Sequence, residues 1–313
     1  MTMSRAEIKT EIKQTAAFTA RNIKLFFKDK GMFIGALIAP LIIMMLYALF
    51  LHRVFVQSIE AVIPEGFALA PKTLSGFVAA YEISSVLAVC CVTVAFVANM
   101  NMVADRVNGT NADISVTPAK GRVIVLGYYF ATAIVTLCIC YIAMAVGFIY
   151  MAGMGWNMTV GETFAVILDV FLCVLFGTAL SSIVCYFLKS SGAINAVSTI
   201  VSSVYGFICG AYYPISQFST GMANTVMCLP GTYCTGLFRT HFLGGFERVL
   251  AAEGLPTQAV DGILGGFDVK LSFFGSNVAP WTMYLVVACT VAALIGAFVL
   301  INLIVKTKRK RVK

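Results

Sequence analysis

The stretch GMFIGALIAPLIIMMLYALFL at residues 31–51 contains no charged side chain. A helix of about 20 apolar residues crosses the hydrocarbon core of a bilayer, so this run is long enough for one crossing. Comparable runs recur along the 313 residues, of which 60% are hydrophobic and only 12% are charged. An ordinary soluble domain carries about 25% charged residues. The sequence therefore predicts a membrane protein and excludes a water-soluble enzyme.

A polypeptide in lipid must satisfy its own backbone hydrogen bonds, which favours helices. We therefore predict an all-α membrane protein whose transmembrane domain covers residues 31–305. Pro40 is expected to kink the first span. The six predicted transmembrane helices lie at about residues 31–54, 80–104, 123–152, 162–188, 192–213 and 281–305.

The distribution of Lys and Arg predicts the orientation of the chain. Seventeen of the 22 basic residues lie in residues 1–30, in the loop 105–122, at Lys189 or in the basic tail 306–313. Because Lys and Arg concentrate on the cytoplasmic side of membrane proteins, an even number of spans places both ends of the chain there. With the basic residues at the ends rather than on a polar domain, no nucleic-acid partner is predicted.

The stretch at residues 190–238 carries no charge and is long enough for two spans. A seventh span, however, would export the basic tail. We therefore predict that residues 214–279 form a re-entrant hairpin and an outer loop, since non-helical backbone is tolerated at membrane depth where protein buries it. The outer loop is expected to contain a short helix near residues 246–254.

Residues 1–30 are predicted to form an amphipathic interface helix. Apolar side chains fall within about 100° of arc and basic side chains lie beside them. Two interpretations stay open, an anchor on the membrane that attracts anionic lipid and a docking helix for a cytoplasmic partner. The apolar set is Ile8, Ile12, Ala16, Ile23, Phe26 and Phe27, and the basic set is Lys9, Lys13, Arg21, Lys24 and Lys28.

Residues for catalysis or metal binding are scarce. The sequence has no Gly-Lys dipeptide and so no G-x-x-x-x-G-K-[ST] phosphate loop. With only two His, no metal site is predicted, and most of the ten Cys fall in apolar runs where they act as small buried residues. Cys228 and Cys234 could pair or stay free. We therefore predict no catalytic residues in this chain.

Two acidic residues fall inside or beside predicted spans, where ionisable groups are costly and functional by default. Glu82 is expected at the water boundary near the outer start of the second span, and Asp169 in the outer third of the fourth. An intramembrane hydrolase is disfavoured, because no His is expected within a span to activate a nucleophile.

Two stretches of the chain carry local helix-breaking patterns. The cytoplasmic loop reads DRVNGTNADISVTPAKG at residues 105–121. Asn108 and Gly109 can end the helix that leaves the second span, and Thr110 or Asn111 can cap a short new one. The outer stretch reads GAYYPIS at residues 210–216 and LPGTYCTGLFR at residues 229–239. Its Gly and Pro free the backbone, and Pro230 is expected to start a helix that ends near Arg239.

Together with KDKGMFIGALIAP at residues 28–40, these stretches resemble a permease subunit of the type 2 ABC exporters, similar to those for drug and antibiotic resistance. The resemblance implies a short coupling helix in the loop 105–122 and an outer gate or re-entrant motif after the fifth span. The implied coupling residues are Asp105, Arg106, Gly109, Thr110, Asp113, Thr117 and Pro118. The implied outer residues are Gly210, Pro214, Ile215, Ser216, Pro230, Thr232, Tyr233 and Arg239.

The resemblance further implies a bacterial cytoplasmic-membrane exporter that moves an amphipathic or lipid-like substrate, such as a drug, antibiotic, peptide or lipid. Its partners would be two cytoplasmic ABC ATPase subunits, which bind ATP and Mg, and a second permease in a homodimer or heterodimer, with membrane lipid around them. This chain would bind no cofactor. The implied translocation path is lined by Ser84, Ser85, Val89, Thr93, Val201 and Tyr205. Alternatives are a polysaccharide or glycolipid exporter of the same kind and a proton-coupled carrier that uses Glu82 and Asp169.

Overall fold

The computed structural model describes residues 4–64, 67, 69–117 and 119–311. Its described residues form thirteen α-helices, a π turn at Tyr47–Leu51, a 3-10 turn at Ile215–Gln217 and one small hairpin. The helices are α1 (Arg5–Lys28), α2 (Lys30–Leu46), α3 (His52–Glu60), α4 (Pro71–Ala98), α5 (Met100–Val107), α6 (Thr110–Ser115), α7 (Gly121–Met154), α8 (Val160–Phe187), α9 (Ser191–Ile208), α10 (Thr220–Met227), α11 (Pro230–Ala252), α12 (Thr257–Gly266) and α13 (Pro280–Arg311); the strands are β1 (Ser272–Phe273) and β2 (Ser276–Asn277), paired antiparallel.

The prediction of an all-α membrane protein is confirmed. Five helical segments of the described chain are long and apolar enough to cross a membrane. They are Lys30–Glu60, Pro71–Val107, Gly121–Met154, Val160–Phe187 and Pro280–Ile301. The fifth predicted span, residues 192–213, corresponds to α9, whose apolar part, Gly192–Ile208, is shorter than those five.

Helix α4 is the centre of the fold. Of its 28 residues, 24 are buried, because α2, α7, α8, α9 and α11 all pack around it. A helix buried on all sides has no hydrophilic face, which explains why no amphipathic period marks α4 in the sequence. By contrast, α2 leaves Leu41, Ile42 and Met45 uncovered, as expected for a helix that faces lipid.

Three details of the helices differ from the sequence-based expectations. The second segment begins at Pro71 rather than near residue 80. The first continues through Pro40, and its departure from α geometry is the π turn at Tyr47–Leu51. Helix α11 does not end near Arg239 but continues to Ala252, because Phe246 and Leu250 are buried in the core.

The predicted short helix near residues 246–254 was therefore wrong as a separate element. Most of it is the end of α11, and the short helix of the outer loop is α12 instead.

Candidate functional site

Within the residues 1–30 predicted as an amphipathic helix, α1 covers Arg5–Lys28 and packs along α7. Ser4 caps α1, and the Glu7 carboxylate accepts a hydrogen bond from the Ser4 backbone N–H, which completes a capping box. Phe26 is buried, whereas Ile8 and Ile12 are not covered by this chain. The predicted apolar arc is thus divided between the core and a surface of the protein.

The base of the cytoplasmic loop is tied to three helices. Asp105 accepts hydrogen bonds from Arg21 of α1 at 2.8 Å and from the Tyr128 hydroxyl of α7 at 2.6 Å. This hydrogen bond to Asp105 raises the pKa of Arg21. Arg106 donates to the carbonyls of Tyr186 and Leu188 at 2.8 and 2.7 Å, at the carboxyl end of α8. A cation there satisfies carbonyls that the helix itself cannot pair.

The tip of the loop is a separate short helix. Gly109 has a φ of 79°, a left-handed conformation that glycine adopts readily, and it turns the chain between α5 and α6. The expectation that Thr110 or Asn111 caps α6 was wrong, because Gly109 occupies the cap position and makes no side-chain cap bond. Thr110 is the first residue of the helix, and Asp113 is exposed on it.

Helix α6 ends at Ser115, and the Thr117 hydroxyl donates to the Ile114 carbonyl. Pro118 lies outside the described residues. The predicted coupling residues therefore separate into two groups. Asp105 and Arg106 bind this chain's own helices, whereas Asp113 faces away from them.

The outer hairpin is organised around one buried arginine. Arg239 of α11 is 1% exposed and donates to Asp268 at 2.6 Å, to the Tyr81 hydroxyl at 2.8 Å and to the Gly210 carbonyl. Its guanidinium also lies over the Tyr81 ring. Gly210 has a φ of 72° and turns the chain after α9. The arginine thus connects α4, the turn after α9 and the outer loop.

Asp268 completes this network from the outer loop. Its carboxylate accepts the backbone N–H groups of Ile215 and Ser216 in addition to Arg239. Asp268 itself has a φ of 54°, which is uncommon for a residue other than glycine. Sequence reasoning missed Asp268. The signal was Arg239 at the end of a long uncharged run, since a buried charge requires a partner.

The remaining predicted outer residues hold the hairpin together. Pro214 precedes the 3-10 turn, and Pro230 is the first residue of α11. The Thr232 hydroxyl donates to the Val226 carbonyl at 2.8 Å and so joins α11 to α10. Tyr233 is buried.

The predicted path residues divide between α4 and α9. Ser84, Ser85, Val89 and Thr93 are all buried inside this chain, and Val201 and Tyr205 lie half-buried on α9. The opposite face of α9 is uncovered and carries Ile200, Val204 and Phe207. Within a single chain, α9 therefore packs against the predicted α4 lining and leaves an apolar face of its own open.

Glu82 is buried rather than at the water boundary, so that expectation was wrong. It is 1% exposed, with the Nδ1 atom of His52 at 3.3 Å and the Tyr150 hydroxyl at 3.1 Å. His52 lies within the first membrane-length segment, Lys30–Glu60, so the expectation that no His lies within a span was also wrong.

Asp169 has the same kind of surroundings. It is fully buried, its carboxylate lies 2.6 Å from Nδ1 of His241, and it accepts a hydrogen bond from the Tyr284 hydroxyl. His241 and Tyr284 belong to α11 and α13. Neither partner of Asp169 could be assigned from the sequence.

Among the described residues, no group of three or more His, Cys, Asp and Glu side chains could hold a metal ion. All ten cysteines are free thiols in the structure, including Cys228 on the surface and Cys234 in the core.

A family model described as ABC-2 type transporter matches residues 13–243. The match begins within α1, includes the cytoplasmic loop and the turn after α9, and ends within α11. No curated protein matches the chain.

Proposed function

Because the chain belongs to the ABC-2 type transporter family and is a multi-pass membrane permease, we propose that it forms the membrane path of an ATP-driven exporter. Permeases of this family normally work with ATPase subunits. Here two cytoplasmic ATPase subunits would bind ATP and Mg and supply the energy. The chain would sit in a bacterial cytoplasmic membrane with both ends in the cytoplasm, as the basic residues of the ends favour.

The attachment of α6 is the observation that carries this proposal. A coupling element must contact the ATPase at its tip and move several spans from its base. The base has this property, because Asp105 binds α1 and α7 while Arg106 binds the end of α8. The hydrogen bonds to charged groups that hold it contribute about 1.5–3 kcal/mol each. A displacement of α6 by the ATPase would therefore reach four helices together, with α5 as the fourth.

The complex would contain two permeases, as a homodimer or a heterodimer. The open face of α9 supports this, since Ile200, Val204 and Phe207 form an uncovered apolar face on a helix whose apolar part is shorter than the five longer segments. Pairing through this face would place Ile200, Val204 and Phe207 at the contact between the two permeases, with Val201 and Tyr205 on the side of α9 toward α4. Access to Ser84, Ser85, Val89 and Thr93 would then require α9 to separate from α4.

An amphipathic or lipid-like cargo fits this lining of hydroxyl and aliphatic groups. The buried hydroxyls of Ser84 and Thr93 already bond backbone carbonyls of their own helix, so they offer a weakly polar surface. The Arg239–Asp268 network would hold the outer hairpin closed between export events. A polysaccharide or glycolipid cargo remains the alternative within the same mechanism.

The test reconstitutes the chain with its partner ATPase subunits and measures ATP hydrolysis and movement of a fluorescent short-chain phospholipid. Asp113→Arg reverses a charge in the proposed ATPase contact, where a misplaced charge costs several kcal/mol. Gly109→Val restricts the left-handed turn. We expect both variants to insert normally but to lose ATPase association. Asp261→Arg makes the same charge reversal on the exposed outer loop and is the matched control.

Two results would overturn the proposal. One is full ATPase association by both α6 variants. The other is robust ATP hydrolysis by the purified chain alone, because the sequence has no phosphate loop.

A proton-coupled carrier is the second candidate, and the buried carboxylates Glu82 and Asp169 favour it. Such a carrier would transport without ATP and would tolerate Asp113→Arg. The same vesicles, assayed with and without ATP, separate the two functions.

A further inference from the structure

The two histidines of the chain occupy matching environments. Each has its Nδ1 atom against a buried carboxylate that also accepts a tyrosine hydroxyl. The first cluster is Glu82, His52 and Tyr150, and the second is Asp169, His241 and Tyr284. Both carboxylates belong to membrane-length helices, α4 and α8. Both imidazoles are partly exposed, with 22% and 15% of their side chains accessible, respectively.

Among the described residues, the second cluster contains one of the two ion pairs that join α8 to α11. Glu162 binds Arg248 with both carboxylate oxygens at 3.0 Å. Seven residues further along α8 and seven residues earlier in α11, Asp169 binds His241. At 1.5 Å per residue, Asp169 lies about 10 Å deeper than Glu162. The outer contact therefore has a permanently charged cation, whereas the deep contact has a side chain that can gain or lose a proton near neutral pH.

In the part of the chain that the structure describes, the ion pairs of Glu82 and Asp169 are those with His52 and His241. Besides its histidine and tyrosine, Asp169 faces the thiol of Cys173 on α8. The two arginines of α11 are committed elsewhere, Arg239 to Asp268 and Arg248 to Glu162. The ionisable groups that act on Glu82 are His52 and Tyr150.

Each cluster thus has two forms. When both ring nitrogens of the imidazole carry a proton and the carboxylate is ionised, the cluster is a neutral ion pair. After loss of one of these protons the imidazole is neutral, and the cluster carries a net negative charge in the membrane interior. An uncompensated buried charge is costly, so the proton-loaded form is the one that suits the packed helices.

We propose that both clusters, Asp169–His241–Tyr284 and Glu82–His52–Tyr150, are proton-binding sites reached from the outer side. Proton occupancy of the Asp169–His241–Tyr284 site controls the packing of α11. Loss of the proton leaves a charge between α8, α11 and α13. Because Arg239 lies two residues before His241, a shift of α11 also moves the arginine that holds the outer hairpin. Protons on the outer side would therefore set how readily the hairpin opens.

The site can be tested on the chain alone. Histidine is labelled with 15N in protein purified without a histidine tag, so that only His52 and His241 give imidazole signals. The spectra are recorded over a series of pH values, and the ratio of protonated to neutral imidazole is measured for each histidine. In Asp169→Asn, the protonated-to-neutral ratio of His241 at a given pH should fall about tenfold or more, because the opposite charge is lost. The His52 ratio should not change.

Two controls make the result specific. Glu82→Gln should reverse the pattern by lowering the ratio of His52 alone. Glu162→Gln removes the carboxylate of the outer contact but keeps a side chain suited to the α8 capping box, and should leave both ratios unchanged. An unchanged His241 ratio in Asp169→Asn, or imidazoles that stay in one form across the pH range, would overturn the proposal.

The second arm measures control of the cycle and rests on the proposed function. The complex is reconstituted with its ATPase subunits outside the vesicle, and the pH of the lumen, which corresponds to the outer side, is varied. We expect the wild-type rate of ATP hydrolysis to depend on lumenal pH and the Asp169→Asn, Glu82→Gln double variant to lose that dependence. A dependence retained by the double variant would refute control by these sites. Absence of turnover in every variant would instead count against the exporter, while the labelling result decides the proton sites independently.

Discussion

Replacement of Asp268 by Asn tests whether the outer hairpin is held by a buried charge. Asn keeps the size of the side chain and tolerates the positive φ of 54°, so the backbone turn is preserved. What is lost is the negative charge against Arg239, which is 1% exposed. Removing one partner of a buried ion pair costs about 3–5 kcal/mol, because the other charge stays buried without compensation.

We therefore expect Asp268→Asn to lower the free energy of unfolding by about 3–5 kcal/mol, measured by reversible unfolding in mixed micelles. Removing both charges in Arg239→Gln, Asp268→Asn should cost less than the two single losses combined, because no unpaired charge remains. Asp261→Asn is the control, since Asp261 pairs with Lys270 on the surface and such pairs contribute about 0–1 kcal/mol.

Opening of the hairpin gives a second measurement on the same variants. Cys209 is 1% exposed and directly precedes Gly210, whose carbonyl Arg239 binds. We expect its alkylation, followed peptide by peptide in mass spectra, to be faster in Asp268→Asn than in the wild type. A loss of less than about 1 kcal/mol together with unchanged alkylation of Cys209 would refute the reasoning, because a surface pair would behave in that way.

Two further predictions concern the cytoplasmic side. Hydrogen bonds from Arg122 and Lys120 lower the pKa of Glu11 below its ordinary value of 4.5. The stabilisation that this ion pair adds to the packing of α1 is therefore fully present above that pH and is lost as the pH falls through the lower folded-state value. Relative to the intrinsic exchange rate at each pH, hydrogen exchange of α1 should rise on acidification, and Glu11→Gln should show this reduced protection already at neutral pH. Cysteines introduced at Thr307 and Ser115 should react from the cytoplasm and one at Gln258 from outside. Labelling of Thr307→Cys from outside would mean an odd number of crossings and would refute the six-span arrangement.

The long membrane helices were the most predictable part of this protein. Their signal is local, because one uncharged run of sufficient length specifies a crossing whatever surrounds it. The turns were predictable for a related reason, since Gly109 and Gly210 do adopt the positive φ values that end α5 and reorient the chain after α9.

The boundaries near charges were less predictable. In the sequence, Lys72 and Glu82 suggest that the second span begins close to Glu82, at the water boundary. Instead, α4 begins at Pro71, includes both residues and buries Glu82. Helix α11 likewise passes Arg239 because Asp268 neutralises that charge in the core. In both cases a hydropathy pattern predicts that the ionisable side chain is exposed to water. Tertiary packing instead supplies a hydrogen-bonding partner, which allows the side chain to be buried.

The sequence by itself determined the membrane class, the basic ends of the chain and the position of the two loops at residues 105–121 and 210–239, because hydropathy, charge and helix breakers act within a few residues. Only the tertiary structure decided which side chains meet. Glu82 and His52 are 30 residues apart, Asp169 and Tyr284 are 115 apart, and Arg239 finds Asp268 after 29. Such pairs form where buried charges on separate helices require compensation in a medium without water, and no local pattern specifies which helix will supply it.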